Sequence, residues 1–323
     1  METYKVPTGH ICTMVGDKGK QLEFLSIGDY GKEKNLKADF LGLTEEINGV
    51  PDGDIVPLSE KWVVTISSQY GCSMGCKFCD VPKVGNGVNA TRSDMVNQVK
   101  KALSLHPEVY KTKRLNLHYA RMGEPTVNKN VISSAYDLAE VMGFLGNGFH
   151  PVVSTMMPKR NKELYEFLED WLILKDHLDG EAGLQISINT TSDKERNDVM
   201  PSAMRLREIS EMFYELLSHR EVPKGRKITL NFALTDAPVN AERLRDLFSP
   251  RYFLCKLTPM HKTKACVTEG LLTDGGYDHF YPYKKVEEDL KAEGFDVIVF
   301  VPSKEEDESK ITCGNAILAT GAN

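Results

Sequence analysis

Lys61-Trp62-Val63-Val64-Thr65-Ile66-Ser67-Ser68 runs almost directly into Gly71-Cys72-Ser73-Met74-Gly75-Cys76-Lys77-Phe78-Cys79-Asp80, and that junction decides how the chain is read. The first half is rich in β-branched and aromatic residues and reads as a strand. The second half holds three of the seven cysteines, spaced Cys-x3-Cys-x2-Cys. Three thiolates on one tight loop can ligate three irons of a four-iron four-sulfur cluster and leave the fourth iron without a protein ligand. An open metal position is where chemistry occurs. The expected ligands are therefore Cys72, Cys76 and Cys79, holding a 4Fe-4S cluster whose free iron chelates the amino and carboxylate groups of S-adenosylmethionine. One electron from that cluster would cleave the sulfonium to a 5'-deoxyadenosyl radical. Gly71 and Gly75 suit a backbone that folds closely round a cluster. A structural zinc site would need a fourth ligand, and the loop contains none.

Outward from this junction the pattern alternates. Helical spacing of Met95, Val96, Val99 and Leu103 follows the loop, then a strand at Arg114–Ala120 and a helix over about 130–144. Further strands are expected at Pro151–Thr155, Leu184–Asn189, Ile228–Leu234, Phe253–Leu257 and Val297–Val301. Between them lie helices at about 162–175, after a Pro201-Ser202 cap, at 240–248 and at 282–293. Repeated strand–helix alternation implies a parallel sheet covered by helices, either doubly wound or an open barrel. In both, functional groups gather at the C-terminal ends of the strands. Cys72–Cys79, Gly123-Glu124-Pro125, Ser154-Thr155, Ser187-Ile188-Asn189 and Pro259-Met260-His261 all fall there. Residues 1–60 are turn-rich and read as a small β-rich lead-in, with Pro51-Asp52-Gly53 as a turn.

The chain has 323 residues, 41% apolar and 27% charged, enough for one large core. No secretory signal or membrane-spanning run is present, so a reducing, cytoplasmic setting is expected, in which cysteines serve metals or catalysis. The net charge of −6 is not the basic footprint usual for nucleic-acid binding. Basic runs at Lys111-Thr112-Lys113-Arg114, Lys159-Arg160-Asn161-Lys162 and Lys224-Gly225-Arg226-Lys227 read as solvated faces.

Taken in order, these pieces resemble the radical SAM adenine-methylating RNA methyltransferases of the RlmN/Cfr type. Ser67-Ser68-Gln69-Tyr70-Gly71-Cys72 is similar to that family's S-S-Q-x-G-C. Met122-Gly123-Glu124-Pro125 with Asn128 resembles M-G-E-P-x-x-N, and Ser154-Thr155 with Pro158 resembles S-T-x-x-x-P. Ser187-Ile188-Asn189 with Arg196 and Pro201, and Cys313-Gly314-Asn315, complete the series, which extends from about residue 55 to the end. The resemblance implies an α/β fold, a radical SAM partial (βα)6-type barrel over 61–323, with the β-rich N-terminal extension over 1–60. It also implies that Gly123 and Glu124 meet the methionine end of S-adenosylmethionine, that Ser154, Ser187 and Asn189 bond its ribose and carboxylate, and that His261 lies near its adenine. Cys313 corresponds to the methyl-carrying cysteine and Asp52 to the general acid/base.

Two departures accompany it. The family's resolving cysteine is Thr65 here, and a hydroxyl cannot form a disulfide; Cys12, Cys255 or Cys266 would have to serve. The family's additional N-terminal RNA-handling domain has no counterpart in the 71 residues before Cys72. The expected reaction is methylation of an adenine, in RNA or in an adenosine-containing small molecule, with a flavodoxin or ferredoxin as reductant. The alternatives are hydrogen abstraction from a small molecule or peptide by the same machinery, and a non-catalytic iron–sulfur or zinc protein.

Overall fold

The computed structural model describes residues 1–29, 55–220, 224–271, 283–302, 304–313 and 315–320. Three antiparallel strands, β1 (Glu2–Val6), β2 (Gly9–Val15) and β3 (Gln21–Ile27), lead in. β4 (Trp62–Ile66) follows, and then a separate ribbon of β5 (Gln69–Gly71) and β6 (Asn86–Asn89) that brackets the cysteine loop. The chain continues through α1 (Arg92–Leu103), β7 (Leu115–Tyr119), α2 (Asn130–Phe144), β8 (Phe149–Thr155), α3 (Leu164–His177) and β9 (Gly183–Ser187). It then runs through α4 (Asp193–Val199), α5 (Leu206–Ser218), β10 (Ile228–Leu234), α6 (Ala241–Leu247) and β11 (Phe253–Pro259). Last come α7 (Lys264–Glu269), α8 (Tyr283–Ala292), β12 (Asp296–Val299), α9 (Lys304–Glu308) and α10 (Ile317–Thr320).

The order β1-β2-β3-β4-β7-β8-β9-β10-β11-β12 makes one sheet, antiparallel up to the β3–β4 pairing and parallel from β4 onward. The α/β expectation holds, with a largely parallel central sheet. The lead-in is part of that sheet, since Leu25, Ser26 and Ile27 pair with Thr65, Val64 and Val63.

Period-two alternation sorts each parallel strand into two faces. Trp62, Val64 and Ile66 on β4, Leu115, Leu117 and Tyr119 on β7, Leu184 and Ile186 on β9, and Leu230 and Phe232 on β10 join one apolar core with the helices. Trp171 of α3 is fully buried in that core and donates from Nε1 to the Gly183 carbonyl at 3.0 Å. Burying each such side chain stabilises by about 1.5–3 kcal/mol. The alternate residues (Thr65, Asn116, His118, Ser154, Gln185, Ser187, Asn231, Lys256) stay half-buried on the opposite face. That face is concave: the charge of Lys256 on β11 acts on His118 of β7, though three strands separate them. In a flat sheet they would stand roughly 19 Å apart, so the sheet curls and its polar face lines an interior.

Local sequence accounts for several helix starts. Thr91 caps α1 reciprocally with Asp94, and Ser192, Asn240 and Thr263 cap α4, α6 and α7. One expectation shifts: Pro201-Ser202 does not cap α5, which opens at Leu206, where Glu208 accepts from the Arg205 amide at 2.8 Å. Among the described residues, no helix is long and apolar enough to cross a membrane.

Candidate active site

The cysteine loop is held over the strand ends from several sides. Cys72 donates its amide to the Gly85 carbonyl at 3.0 Å and Lys77 to that of Val199 at 2.9 Å. The Phe78 carbonyl accepts from Thr263 Oγ1 at 2.7 Å and from Cys266 Sγ at 3.5 Å. Asp80 accepts from the Ala265 and Lys264 amides at 2.9 and 3.2 Å, so a carboxylate seats the loop on the start of α7. Gly71 is obligatory: its φ is +80°, and a Cβ would lie 2.2 Å from the Gly85 carbonyl oxygen. Met156, Met200 and Ala203, with Met74, Phe78 and Val199, pack an apolar wall against Cys76.

Cys72, Cys76 and Cys79 are free, half-buried and mutually coupled. Burial pushes the Cys72 thiol up to about 11, with Glu124 adding to it, and the Cys76 thiol up to about 12. Cys79 is raised well above its ordinary value by burial and then by Cys313, the strongest charge acting on it. Thiolates in such a setting call for a compensating cation, which iron supplies. Among the described residues, no three His, Cys, Asp or Glu side chains converge as the ligands of one ion would. The three-thiol donor set on one loop fits a cluster, whose irons are ligated one thiolate each.

Residues of the quoted motifs form the frame beneath this loop. Gln69 donates from Nε2 to the Gly87 carbonyl at 2.8 Å and to Asn89 Oδ1 at 2.7 Å, and accepts the Glu124 amide at 2.9 Å. Asn128 Nδ2 donates to the Ser68 and Ala90 carbonyls at 2.7 and 2.9 Å. Gly123 has φ +98°, and a Cβ there would lie 2.6 Å from Gln69 Cβ. The Glu124 carboxylate, almost fully buried, accepts from Thr126 Oγ1 at 2.7 Å and from the Met156 amide at 3.0 Å. Burial raises its pKa, and these donors oppose the rise.

Ser154 and Ser187 stand half-buried at inner-face positions of β8 and β9. Asn189 adopts φ +63°, which asparagine tolerates. Its Oδ1 accepts from the Ala233 amide at 3.0 Å, and its Nδ2 points at Met200 Sδ, 3.7 Å away. His261 Nδ1 lies 2.8 Å from Asp307 Oδ1, and Thr312 Oγ1 donates to that oxygen at 2.8 Å. Asp52 lies outside the described residues.

The structure adds tasks that the sequence did not show. Arg196, only 1% exposed, donates to the carbonyls of Met204, Ser187, Ile188 and Met156 at 2.6–3.0 Å, and its charge acts on Cys76. Burial lowers its pKa to about 10, so it stays charged at neutrality. Glu23 of β3, fully buried, forms an ion pair with Arg121 and accepts the Ala316 and Ile317 amides at 2.7 and 3.1 Å. Strand β3 and the Arg121–Glu124 turn thus clasp the segment that carries Cys313. Of the three further thiols, Cys266 touches the cysteine loop, whereas Cys255 packs into the apolar core and Cys12 points at Thr3 Oγ1.

The fold, a largely parallel sheet with a cysteine loop at its strand ends, is similar to that of a solved radical SAM methyltransferase. The solved structure of such an enzyme from Sphaerobacter thermophilus superposes with a TM-score of 0.60 over 97% of this chain and 79% of that one, at 20% identity. No family model matches the chain. Among curated proteins it is similar to the probable dual-specificity RNA methyltransferase RlmN of Bacteroides thetaiotaomicron, 29% identical over 222 residues, covering 67% of this chain and 58% of that protein. It is likewise similar to the dual-specificity RNA methyltransferase RlmN of Anaeromyxobacter dehalogenans, 30% identical over 216 residues, covering 61% and 53%. The chain spans little more than half the length of these relatives. They bear out the RlmN/Cfr-like resemblance read from the motifs.

Proposed function

We propose that this chain is a radical SAM methyltransferase acting on an adenine, with Cys313 as methyl carrier. The observation that carries the reading is the meeting of two remote segments: Cys313 lies near enough to Cys79 to raise its pKa, and the buried Glu23 holds the backbone three residues further on, at Ala316. Cys72, Cys76 and Cys79 would hold a 4Fe-4S cluster, which would supply the electron that releases the 5'-deoxyadenosyl radical from S-adenosylmethionine, itself also the methyl donor. Gly123 leaves room at the methionine end of the cofactor. Glu124 keeps the turn in place through its bond to the Met156 amide. Ser154, Ser187 and Asn189 bond the ribose and carboxylate, and His261, oriented by Asp307, stands at the adenine. The methionine wall excludes water from the radical's path.

In this scheme the Cys313 thiolate would take a methyl group from S-adenosylmethionine, which leaves as S-adenosylhomocysteine. Loss of a hydrogen atom from that methyl to the deoxyadenosyl radical would let its carbon, still on the Cys313 sulfur, bond C2 or C8 of the adenine. The adduct would give up one electron and the ring proton. A second thiol would then attack the Cys313 sulfur, forming a disulfide as the carbon–sulfur bond breaks and the freed carbon takes a proton to become the methyl group. Thr65 cannot serve as that thiol. We assign the step to Cys266, which lies against the loop and feels Asp307, the partner of Thr312. Asp52 is assigned the acid/base role on the resemblance alone. A flavodoxin or ferredoxin in the cytoplasm is the fitting reductant. The test is anaerobic: reconstitute the cluster, add reductant and S-adenosylmethionine, digest, and weigh the Cys313 peptide. One added methyl on Cys313 supports the reading. An unmodified Cys313 beside free 5'-deoxyadenosine would redirect it to hydrogen-abstraction chemistry.

A further inference from the structure

Two basic runs that read as solvated faces each turn one arginine inward. Arg114, at the foot of β7, is half-buried and donates from Nε to Asn116 Oδ1 at 3.0 Å on the inner face. Arg226, at the foot of β10, has a buried Nη1 with no hydrogen-bond partner. Its guanidinium fills the space that a side chain on Gly183 would occupy: a Cβ there would lie 3.0 Å from Nη1. Gly183 and Val152 are inner-face positions of β9 and β8, so this charge sits inside the curl of the sheet.

Lys256 joins them from the middle of β11. Its neighbours Cys255 and Leu257 face the helices, and its own Nζ lies over Phe300, 5.0 Å from the ring centroid. Neither Lys256 nor Arg226 has a carboxylate within ion-pairing distance among the described residues. The other charges facing the group are already engaged. Lys61 pairs with Asp29 at 2.5 Å, and Glu181 Oε2 lies 2.7 Å from His150 Nδ1. His118, deep between them, is held neutral, lowered to about 3 by burial and then by Arg226, Lys256, Lys61 and Arg114. Among the described residues, a chain of net charge −6 therefore gathers three like charges inside the curl of its sheet, and Glu181 opposes the Arg226 charge only from beyond ion-pairing distance. Buried charges are ordinarily paired, because an uncompensated one is unfavourable by several kcal/mol.

We propose that the barrel interior is a phosphate-binding site formed by Lys256, Arg226 and Arg114, and that it receives the phosphate of a small adenosine nucleotide. Phosphate suits this set better than a carboxylate does. Its double negative charge matches several cations, and the planar guanidinium and the ammonium are its usual partners. The position matches too: Lys256 lies three residues below Pro259, the last residue of β11, a depth of roughly 10 Å. A single nucleotide bridges such a depth between the interior cations and a base at the cysteine loop, whereas a polynucleotide would have to thread the barrel. The nucleoside half rests on the adenine reading above; the phosphate half does not.

The experiment titrates cluster-loaded protein, anaerobic and without reductant or S-adenosylmethionine, with AMP, adenosine and inorganic phosphate by calorimetry. AMP is expected to bind at least about tenfold more tightly than adenosine, the value of one or more charge-assisted hydrogen bonds. Lys256→Met and Arg226→Met should remove that advantage and leave adenosine binding unchanged, with thermal unfolding run in parallel to establish that each variant is folded. Free phosphate competing with AMP in the wild type, and no longer in Lys256→Met, supports the site. Phosphate binding as tightly as AMP supports the anion site and overturns the nucleotide half. Equal affinities for AMP and adenosine, or a folded Lys256→Met variant that keeps the preference, overturn the proposal. Phosphate binding with no methyl on Cys313 would sink the proposed reaction and leave this site standing; methyl-Cys313 without any phosphate preference would do the reverse.

Discussion

Arg196 shows how much of this site rests on single side chains. Its guanidinium satisfies four backbone carbonyls where β8, β9 and the approach to α5 converge, all beneath Cys76. Those oxygens sit among Met156, Met200 and Ala203. Removing the donor leaves them unpaired away from water, at roughly 1–3 kcal/mol for each that finds no replacement. Arg196→Met should therefore destabilise the fold by about 3 kcal/mol, read as a fall in the urea midpoint at unchanged slope. Arg196→Lys should recover less than half of this, since an ammonium cannot span the four acceptors that a planar fork reaches. A loss below about 1 kcal/mol for Arg196→Met would mean that water reaches the strand ends. Arg196 was legible as a motif member, but its task was not, because backbone carbonyls leave no mark in the sequence. Cys72, Cys76 and Cys79 were legible for the opposite reason: they are contiguous and chemically unambiguous.

At the scale of elements, the Cys313 segment depends on a strand from the other end of the chain. Glu23 and Arg121 are nearly inaccessible, and the two backbone amides on Glu23 Oε2 leave the carboxylate well satisfied. Breaking a buried, hydrogen-bonded ion pair by removing one charge typically destabilises by about 3–5 kcal/mol. Glu23→Gln keeps the shape and one acceptor, so about 2–3 kcal/mol is expected, concentrated in the clasp. Hydrogen exchange should show faster exchange at the Ala316 and Ile317 amides, with those of α1 and β7 unchanged. Uniform acceleration across the chain would mean that Glu23 supports the fold as a whole. Adding Arg121→Met to Glu23→Gln should hurt less than the sum of the single changes, since the arginine has then lost its partner already. This clasp was invisible in the sequence, where residues 1–60 read as a small β-rich lead-in. Helices α1 and α2 were legible because the cap of α1 and the apolar stripes of both are local. The start of α5 was misread because Pro201-Ser202 carries a cap-like composition while Glu208 does the capping.

For the whole molecule, alternation along each strand foretold that one face would meet the helices, and the parallel sheet followed from that. The polarity of the other face could be read only once the sheet was seen to curl, because His118, Arg226 and Lys256 are neighbours in space and not in sequence. Lys256 gives that interior a measurable energy. Burial, and then Arg226, lowers its pKa from 10.5 to about 8, so the native state disfavours the charged lysine. Arg226 is the charge that acts on it directly; Lys256 in turn acts on neutral His118 together with Arg114 and Lys61, and Glu181 acts on Arg226. Below about pH 8 the lysine is protonated in both folded and unfolded chains, and the folded state bears the full penalty. Between about 8 and 10.5 the folded lysine has lost its proton while the unfolded one keeps it, so stability from this group rises with pH across that window. Lys256→Met keeps the side-chain volume and removes the charge. It should be more stable than the wild type by about 2 kcal/mol at pH 7, with the gain shrinking towards pH 10. Inorganic phosphate should narrow the gap at pH 7 by stabilising the wild type alone, through binding to the folded state. Urea unfolding of both proteins at the two pH values, with and without phosphate, measures each part. A Lys256→Met variant less stable than the wild type at pH 7 would mean that the interior already neutralises this lysine, and that no anion is needed there.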